Sequence, residues 1–186
     1  MKEKNIPSLL ERLGRTRRLR SAICDERERL YRLAWSWSHD QHMAEDLVQE
    51  TLVRALDKLD SLRDEARLAF WLTRIMANLF RDQFRRQRED TGQDADPVTE
   101  ETPEETAGRS QLIQHTREAI IALSEDHRQI ITLVDLAGFS YADTAQILDV
   151  PVGTVMSRIS RARKRLRKLL TQVHPNDRVV VPISKR

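Results

Sequence analysis

Apolar residues recur every three or four positions over most of the chain, the spacing that places them on one face of an α-helix. The pattern predicts helices within residues 25–37, 38–62, 65–87, 112–123 and 124–137. The composition, 33% charged and 39% hydrophobic with only 5 Gly and 6 Pro, favours helices over sheets. The sequence therefore predicts an all-α fold.

The stretch 140–170 predicts two more helices with a tight break between them. Ser140 and Asp143 have the spacing of a capping box at a helix start. Pro151 suits the start of the second helix, because its missing N–H would be unpaired there. Asp149 stands at the break, where many such motifs carry glycine, and Asp tolerates the left-handed backbone. This layout is that of a helix-turn-helix DNA-binding motif.

The second helix of this pair has two opposed faces. Its apolar stripe consists of Val155, Ile159, Ala162, Leu166 and Leu169. The opposite face carries cations and hydroxyls: Ser157, Ser160, Arg161, Lys164 and Lys168. One face can dock on protein while the other contacts DNA, although a basic solvated helix is the plainer alternative.

The helix within residues 38–62 has a broad apolar stripe, which is typical of a core-facing helix. The stripe consists of Ala44, Leu47, Val48, Thr51, Leu52, Ala55, Leu56 and Leu59. The outward face shows Asp46, Gln49, Glu50, Arg54 and Asp57. Periodicity alone favours an ordinary solvated face for these polar residues.

The helix within residues 65–87 has a cationic outer stripe. Leu68, Trp71, Leu72, Ile75 and Leu79 point inward. Arg74, Asn78, Arg81 and Arg85 follow at i, i+4, i+7 and i+11, on one outer line. Phe70, Phe80 and Phe84 lie near these cations, and aromatic rings beside cations suit unstacked bases. For Trp71, we expect a place in the core.

Charge is segregated along the 186 residues, although the net charge is only +3. Residues 89–108 are rich in Asp and Glu, contain two prolines and lack Lys and Arg, which predicts a flexible acidic linker. The predicted domains are a basic N-terminal extension, a helical domain, the linker, a helix-turn-helix domain and a tail. They cover residues 1–22, 23–88, 89–109, 110–171 and 172–186. For the extension, we expect a frayed terminus rather than a short amphipathic helix.

Other classes of function find little support in the sequence. The single Cys24 excludes an intramolecular disulfide and fits a reducing cytoplasm. No apolar run approaches the roughly 20 residues of a membrane span. His39 and His42 have a spacing that could hold a metal, but no third ligand is evident, so we expect neither a metal nor a cofactor. No group of side chains suggests a catalytic centre, and the chain is predicted not to be an enzyme.

Two DNA-facing helical modules on one tether resemble the extracytoplasmic-function group of bacterial sigma factors, the promoter-specificity subunits of RNA polymerase. The first module carries the resemblance in DLVQETLVRAL (residues 46–56) and WLTRIMANLFRDQFR (residues 71–85). The second carries it over residues 123–166. The first block separates a sigma factor from a one-module regulator.

The resemblance implies roles for three surfaces. Asp46, Gln49, Glu50 and Arg54 would bind the beta-prime clamp of core polymerase, whose beta flap is a further expected contact. Arg74, Asn78, Arg81 and Arg85 would meet the minus-ten element, with a flipped base captured near residues 61–67. Candidates for reading the minus-thirty-five element are Thr154, Ser157, Arg158, Ser160, Arg161, Lys164 and Arg165. The resemblance also implies promoter DNA and an anti-sigma factor as partners.

Three positions depart from the family pattern, namely Met76, Asp149 and Ser160, so a target sequence cannot be transferred from a relative. Two alternatives stay open at this point. One is a stand-alone helix-turn-helix regulator that dimerises on a palindrome. The other is a helical interaction protein without a nucleic-acid role.

Overall fold

The computed structural model describes residues 9–91 and 109–173, and within these ranges every regular element is helical. The all-α prediction is therefore confirmed. The α-helices are α1 (Leu9–Asp25), α2 (Arg27–Ser38), α3 (Gln41–Asp57), α4 (Leu68–Thr91), α5 (Arg109–Ile121), α6 (Glu125–Ile131), α7 (Tyr141–Leu148) and α8 (Val152–Val173). The chain divides into two compact units, Met1–Pro97 and Val98–Arg186. The predicted linker lies almost entirely outside the described residues.

In the first unit, α2, α3 and α4 pack together around large apolar side chains. Trp37 and Phe80 are almost fully buried, and their ring centroids lie 5.6 Å apart. Leu47 from α3 and Leu72 from α4 are fully buried beside them in the same core. Met76 is also fully buried, so the unusual residue at this position fills space in the core.

The N-terminal segment differs from the prediction. We expected a frayed terminus up to residue 22, but α1 runs from Leu9 to Asp25 and packs on α2 and α3. Leu19 and Ile23 are buried, and burial of two large apolar side chains accounts for the docking. The described residues 9–22 therefore pack with the first unit as part of a helix and are not a frayed terminus. Residues 1–8 lie outside the described part of the chain.

The connection between α3 and α4 consists of two short 3₁₀ helices, Leu59–Ser61 and Glu65–Arg67. The Asp64 side chain caps the second by accepting a hydrogen bond from the Ala66 N–H at 3.0 Å. The periodicity indicates a helix start at Glu65. The cap explains why α4 begins at Leu68 instead.

In the second unit, α8 packs against α5, α6 and α7. Its core contains the fully buried Ile130, Leu133, Ile147 and Val155. The helix predicted over residues 124–137 is instead α6 followed by a π-helical turn, Thr132–Leu136. A π turn takes up one extra residue, which changes the direction of the following side chains. Leu136, an apolar residue near the end of the predicted helix, is exposed in this turn.

None of the helices over residues 9–91 and 109–173 combines the length and the apolar character that crossing a bilayer requires.

Candidate polymerase and nucleic-acid interfaces

The outer face of α3 (Asp46, Gln49, Glu50 and Arg54) lies opposite the buried side of that helix. Asp46, Gln49 and Arg54 are exposed and Glu50 is half-buried. The Arg54 Nε donates to Glu50 Oε1 at 2.7 Å, the i, i+4 arrangement that helices favour. The structure therefore brings the four predicted residues together on one surface.

Two apolar side chains near this face are exposed, and the sequence analysis missed both. Val53 is 47% exposed and, at i+3 from Glu50 and i+4 from Gln49, lies within the polar surface. Leu56, which we predicted in the buried stripe, is 38% exposed because α3 ends at the next residue. Exposed apolar side chains inside a polar face are a feature of docking surfaces. The exposure of Val53 could have been predicted from its position on the helix, because it falls between the polar residues of the outer face.

The α4 stripe (Arg74, Asn78, Arg81 and Arg85) is exposed along its whole length. On the opposite side of α4, Leu72 and Leu79 are buried as predicted. Arg85 lies 3.9 Å from Asp82, a long ion pair on the same helix. The stripe thus presents guanidinium groups to solvent along about three turns of one helix.

Among the aromatic side chains near the α4 stripe that the structure describes, Trp71, Phe70 and Phe80 differ in their surroundings. Phe80 is fully buried against Trp37 and cannot reach an outside base. Trp71 is half-buried, only partly the core residue that we expected. The Phe70 ring lies under the guanidinium of Arg67, 4.1 Å from its centroid. The Phe84 side chain lies outside the described part of the structure.

The predicted helix-turn-helix consists of α7 and α8. The Ser140 side chain accepts a hydrogen bond from the Asp143 N–H at 3.0 Å, which confirms the N-terminal cap. Asp149 adopts the left-handed conformation with φ 56° and ψ 49°, also as predicted. Its neighbour Val150 donates its N–H to the Ala145 carbonyl at 3.0 Å, which closes the helix end.

The basic face of α8 is exposed, and the opposite apolar stripe is buried over its first half, while Leu166 and Leu169 are half-buried. Val155, Ile159 and Ala162 are at most 3% exposed. The candidate contacts Ser157, Ser160, Arg161, Lys164 and Arg165 are exposed, and Thr154 is half-buried. The Ser157 hydroxyl donates to the Thr154 carbonyl of the same helix at 3.0 Å. The two-faced character of α8 is thus confirmed.

Two arginines of α8 are engaged with acidic residues of their own unit. Arg158 Nη2 lies 3.0 Å from Asp126 Oδ2 of α6, so this predicted DNA contact is half-buried and paired in the free protein. Arg163 holds Asp135 of the π turn through two bonds of 3.1 and 2.5 Å. The hydrogen bond to Asp135 raises the pKa of the Arg163 guanidinium, although partial burial opposes the shift. Both pairs hold α8 against neighbouring elements.

His39 and His42, whose spacing could hold a metal, have no group of further ligands beside them within residues 9–91 and 109–173. His39 is buried with φ 53° at the end of α2, and its ring packs edge-on against Trp35 with centroids 5.5 Å apart. It therefore has a structural place. Cys24 is exposed on α1.

Comparison with known proteins identifies both units. Residues 24–89 match the family described as sigma-70 region 2, and residues 114–166 match sigma-70, region 4. The ECF RNA polymerase sigma factor EcfG of Rhodopseudomonas palustris is 40% identical over 139 residues, which cover 74% of this chain and 76% of the relative. The ECF RNA polymerase sigma factor SigW of Bacillus subtilis is 31% identical over 157 residues, covering 77% and 84%.

A solved structure agrees with these relatives. The sigma factor RpoE of Bartonella quintana, in complex with the anti-sigma factor NepR, superposes with a TM-score of 0.68 at 36% identity, covering 81% of this chain and 95% of that one. The chain belongs to the extracytoplasmic-function group of RNA polymerase sigma factors. Sigma factors are transcription initiation factors, and the region 2 match separates this chain from a one-module regulator.

Proposed function

We propose that this sigma factor holds core RNA polymerase through α3 and promoter DNA through α4 and α8. The supporting observation is that the α4 stripe in the first unit and the basic face of α8 in the second are both exposed, while α3 exposes a mixed polar and apolar face beside Val53. Two separate DNA contacts on one chain suit a promoter with two spaced elements. In this proposal, the protein supplies positioning and binding energy, and polymerase performs the chemistry.

The basic face of α8 would enter the major groove at the minus-thirty-five element. An α-helix fits this groove, and an arginine that bonds a guanine edge gives about 1–3 kcal/mol of discrimination. Arg161 and Lys164 are one turn apart and exposed, so both can reach the same groove. Arg165 would add sequence-independent affinity to phosphates, which weakens as salt rises.

The α4 stripe would meet the minus-ten element and hold its separated strand. Unstacking a base costs a few kcal/mol, and contacts that exist only in the open state can offset that cost. Guanidinium groups along α4 would neutralise phosphates of the single strand, and the Asn78 amide offers both a donor and an acceptor. The loop of residues 61–67, directly before α4, would take up the unstacked base.

The outer face of α3 would bind the beta-prime clamp of core polymerase, and the beta flap would contact the second unit. Val53 would provide a small apolar anchor within a polar rim, the usual composition of a protein interface. An anti-sigma factor is a further expected partner, because the Bartonella relative was solved in complex with one. Since polymerase and promoters are found there, we place this action in the cytoplasm.

Run-off transcription tests the proposal. Core polymerase with the full chain, on a promoter library, should give initiation at specific sites that depends on the added protein. A variant with Gln49→Lys and Glu50→Lys should lose most of this transcription, because two new positive charges would face the clamp. Arg17→Glu, an exposed change on α1, is the control and should keep it. Initiation from no template, or full activity of the α3 variant, contradicts the proposal.

A further inference from the structure

Arg15 of α1 bonds to the loop of residues 61–67. Its Nη2 donates to the Leu62 carbonyl at 2.8 Å, and its Nε donates to Glu65 Oε1 at 2.9 Å. Arg15 lies 47 residues before Leu62, so these are tertiary contacts between distant parts of the chain. One planar guanidinium thus fixes the position of a backbone carbonyl relative to a side chain three residues later.

The loop is fixed at its two ends and open in the middle. Leu59 and Leu62 are buried and anchor its first half in the core. At its other end, the Arg67 guanidinium lies over the Phe70 ring of α4. Between these anchors, residues 63–66 are all exposed. Arg15 contacts the residue directly before this exposed segment, Leu62, and one residue within it, Glu65.

We propose that Arg15 is a positioning residue that holds the loop of residues 61–67 in the shape that accepts an unstacked base. This inference rests on the function proposed above for the loop. The guanidinium fork accepts only a narrow range of partner geometries, whereas the ammonium of a lysine acts as a single point charge. Arg15 would therefore influence which base the loop accepts without touching that base.

The exposure of the pair indicates that its effect falls on the loop and not on the stability of the unit. The side chains of Arg15 and Glu65 are 37% and 47% exposed. Ion pairs this exposed contribute little to global stability, because solvent screens them. Leu19 and Ile23 keep α1 docked without Arg15. Removal of the guanidinium should loosen the loop and leave the helices folded.

Hydrogen exchange in the full chain without polymerase tests the contact directly. In Arg15→Gln, the hydrogen-bonded amides of Leu62, Ala66 and Arg67 should exchange about tenfold faster, which corresponds to about 1.4 kcal/mol of local opening. Exchange in α2 and α3 should stay unchanged. Arg17→Gln is the matched control, since it removes the same charge from an exposed position of α1. Unchanged loop exchange in Arg15→Gln overturns the inference, whatever the protein does in transcription.

A second measurement tests the consequence for base choice. Holoenzyme is bound to fork-junction DNA whose non-template strand is randomised over the minus-ten element, and bound sequences are counted. Wild type and Arg17→Gln should prefer one base at the position that the loop takes up. Arg15→Gln should reduce that preference about tenfold, equal to about 1.4 kcal/mol, while affinity for core polymerase stays the same.

Two further variants separate positioning from a general structural role. Arg15→Lys should retain part of the preference, and Glu65→Gln should lose less than Arg15→Gln because the Leu62 contact remains. The double variant should be no worse than Arg15→Gln alone. Equal weakening at every base and position, or additive losses, overturns the inference. Absence of any preference in wild type contradicts the proposed function instead.

Discussion

The two helices that we propose to contact DNA, α4 and α8, are held in their units by different means. Burial of large apolar side chains holds α4: Leu72, Met76 and Phe80 are fully buried along its inner side. On its outer stripe, Arg85 pairs with Asp82 of the same helix. We therefore expect changes in the stripe to affect nucleic-acid binding more than the packing of the unit.

In α8, some of the charged side chains form ion pairs that hold the helix in its unit. Its inner side contributes smaller residues such as Ala162, and two of its arginines bond to acids of α6 and the π turn. Arg158 and Arg163 thus help to fix α8, whereas Arg161 and Lys164 point outward. The comparison shows that a cation on a DNA-facing helix cannot be assigned to DNA before its partners within the protein are known.

The largest effect is expected from reversing charge on the α4 stripe. Arg74→Glu with Arg81→Glu should lower transcription on the order of 100-fold, because phosphate contacts become repulsions. The salt dependence of fork-junction binding should fall by about 0.7 in log–log slope for each lost contact with a single strand. Run-off transcription and a salt titration with holoenzyme measure the two quantities.

The matched control is Arg17→Glu with Arg20→Glu, an equal change of charge on exposed positions of α1 in the same unit. It should leave transcription within about twofold of wild type, as a long-range effect of net charge is screened beyond roughly 8–10 Å. Equal losses in both double variants would show that net charge, and not the stripe, determines binding.

Within α8, Arg161→Ala and Arg158→Ala should differ in their effect on specificity. Loss of a guanine contact at Arg161 should reduce preference for the best upstream element about 10- to 100-fold, equivalent to roughly 1–3 kcal/mol. Arg158→Ala should reduce the preference for the best upstream element much less, since Arg158 bonds to Asp126 in the free protein. Holoenzyme binding to duplexes randomised over the minus-thirty-five element gives both values.

Asp126→Asn tests the role of the ion pair directly, because it removes the partner charge of Arg158 and keeps Arg158 itself. If the pair keeps Arg158 away from DNA, Asp126→Asn should raise duplex affinity, and the gain should vanish when combined with Arg158→Ala. A larger loss of specificity in Arg158→Ala than in Arg161→Ala would mean that Arg158 leaves Asp126 and reads a base.

The helix faces could be predicted because a 3.6-residue period determines which side chains share a side. Arg74 to Arg85, and Ser157 to Lys164, follow this rule and lie together as expected. The role of α1 could not be predicted, since its long arginine run resembles a solvated segment, and Leu19 and Ile23 are the buried residues among the α1 side chains from Leu13 onward. The contact from Arg15 to Leu62 depends on tertiary packing, which no local pattern encodes.

The π turn and the ion pairs of α8 could not be predicted for the same reason, because they depend on tertiary packing. The helical period indicates a continuous helix through Leu136, and no residue type in that stretch marks a π turn. Only the structure shows that Asp135 faces Arg163. The pairing of Arg158 with Asp126 likewise joins two helices whose relative placement is decided by their buried sides. The sequence therefore predicts which residues share one face of a helix, but it does not predict which residues pair between two elements.

The smallest effect concerns the two helix ends with left-handed residues other than glycine, one in each unit. His39 has φ 53° and Asp149 has φ 56°. A left-handed residue with a Cβ costs about 1–2 kcal/mol relative to glycine, and somewhat less for Asp. Asp149 is exposed, so Asp149→Gly should stabilise its unit by about 0.5 kcal/mol through relief at the helix end.

His39→Gly should behave in the opposite way, although its backbone is relieved equally. The His39 ring is buried and packs against Trp35, and loss of a buried ring outweighs the backbone gain by about 1 kcal/mol. Urea unfolding of the full chain, followed separately for each unit by hydrogen exchange, measures both changes. A stabilising His39→Gly would mean that the ring contributes nothing beyond strain. A destabilising Asp149→Gly would mean that the Asp149 side chain stabilises the turn by a contact of its own. In that case, the contribution of the side chain exceeds the cost of the left-handed backbone.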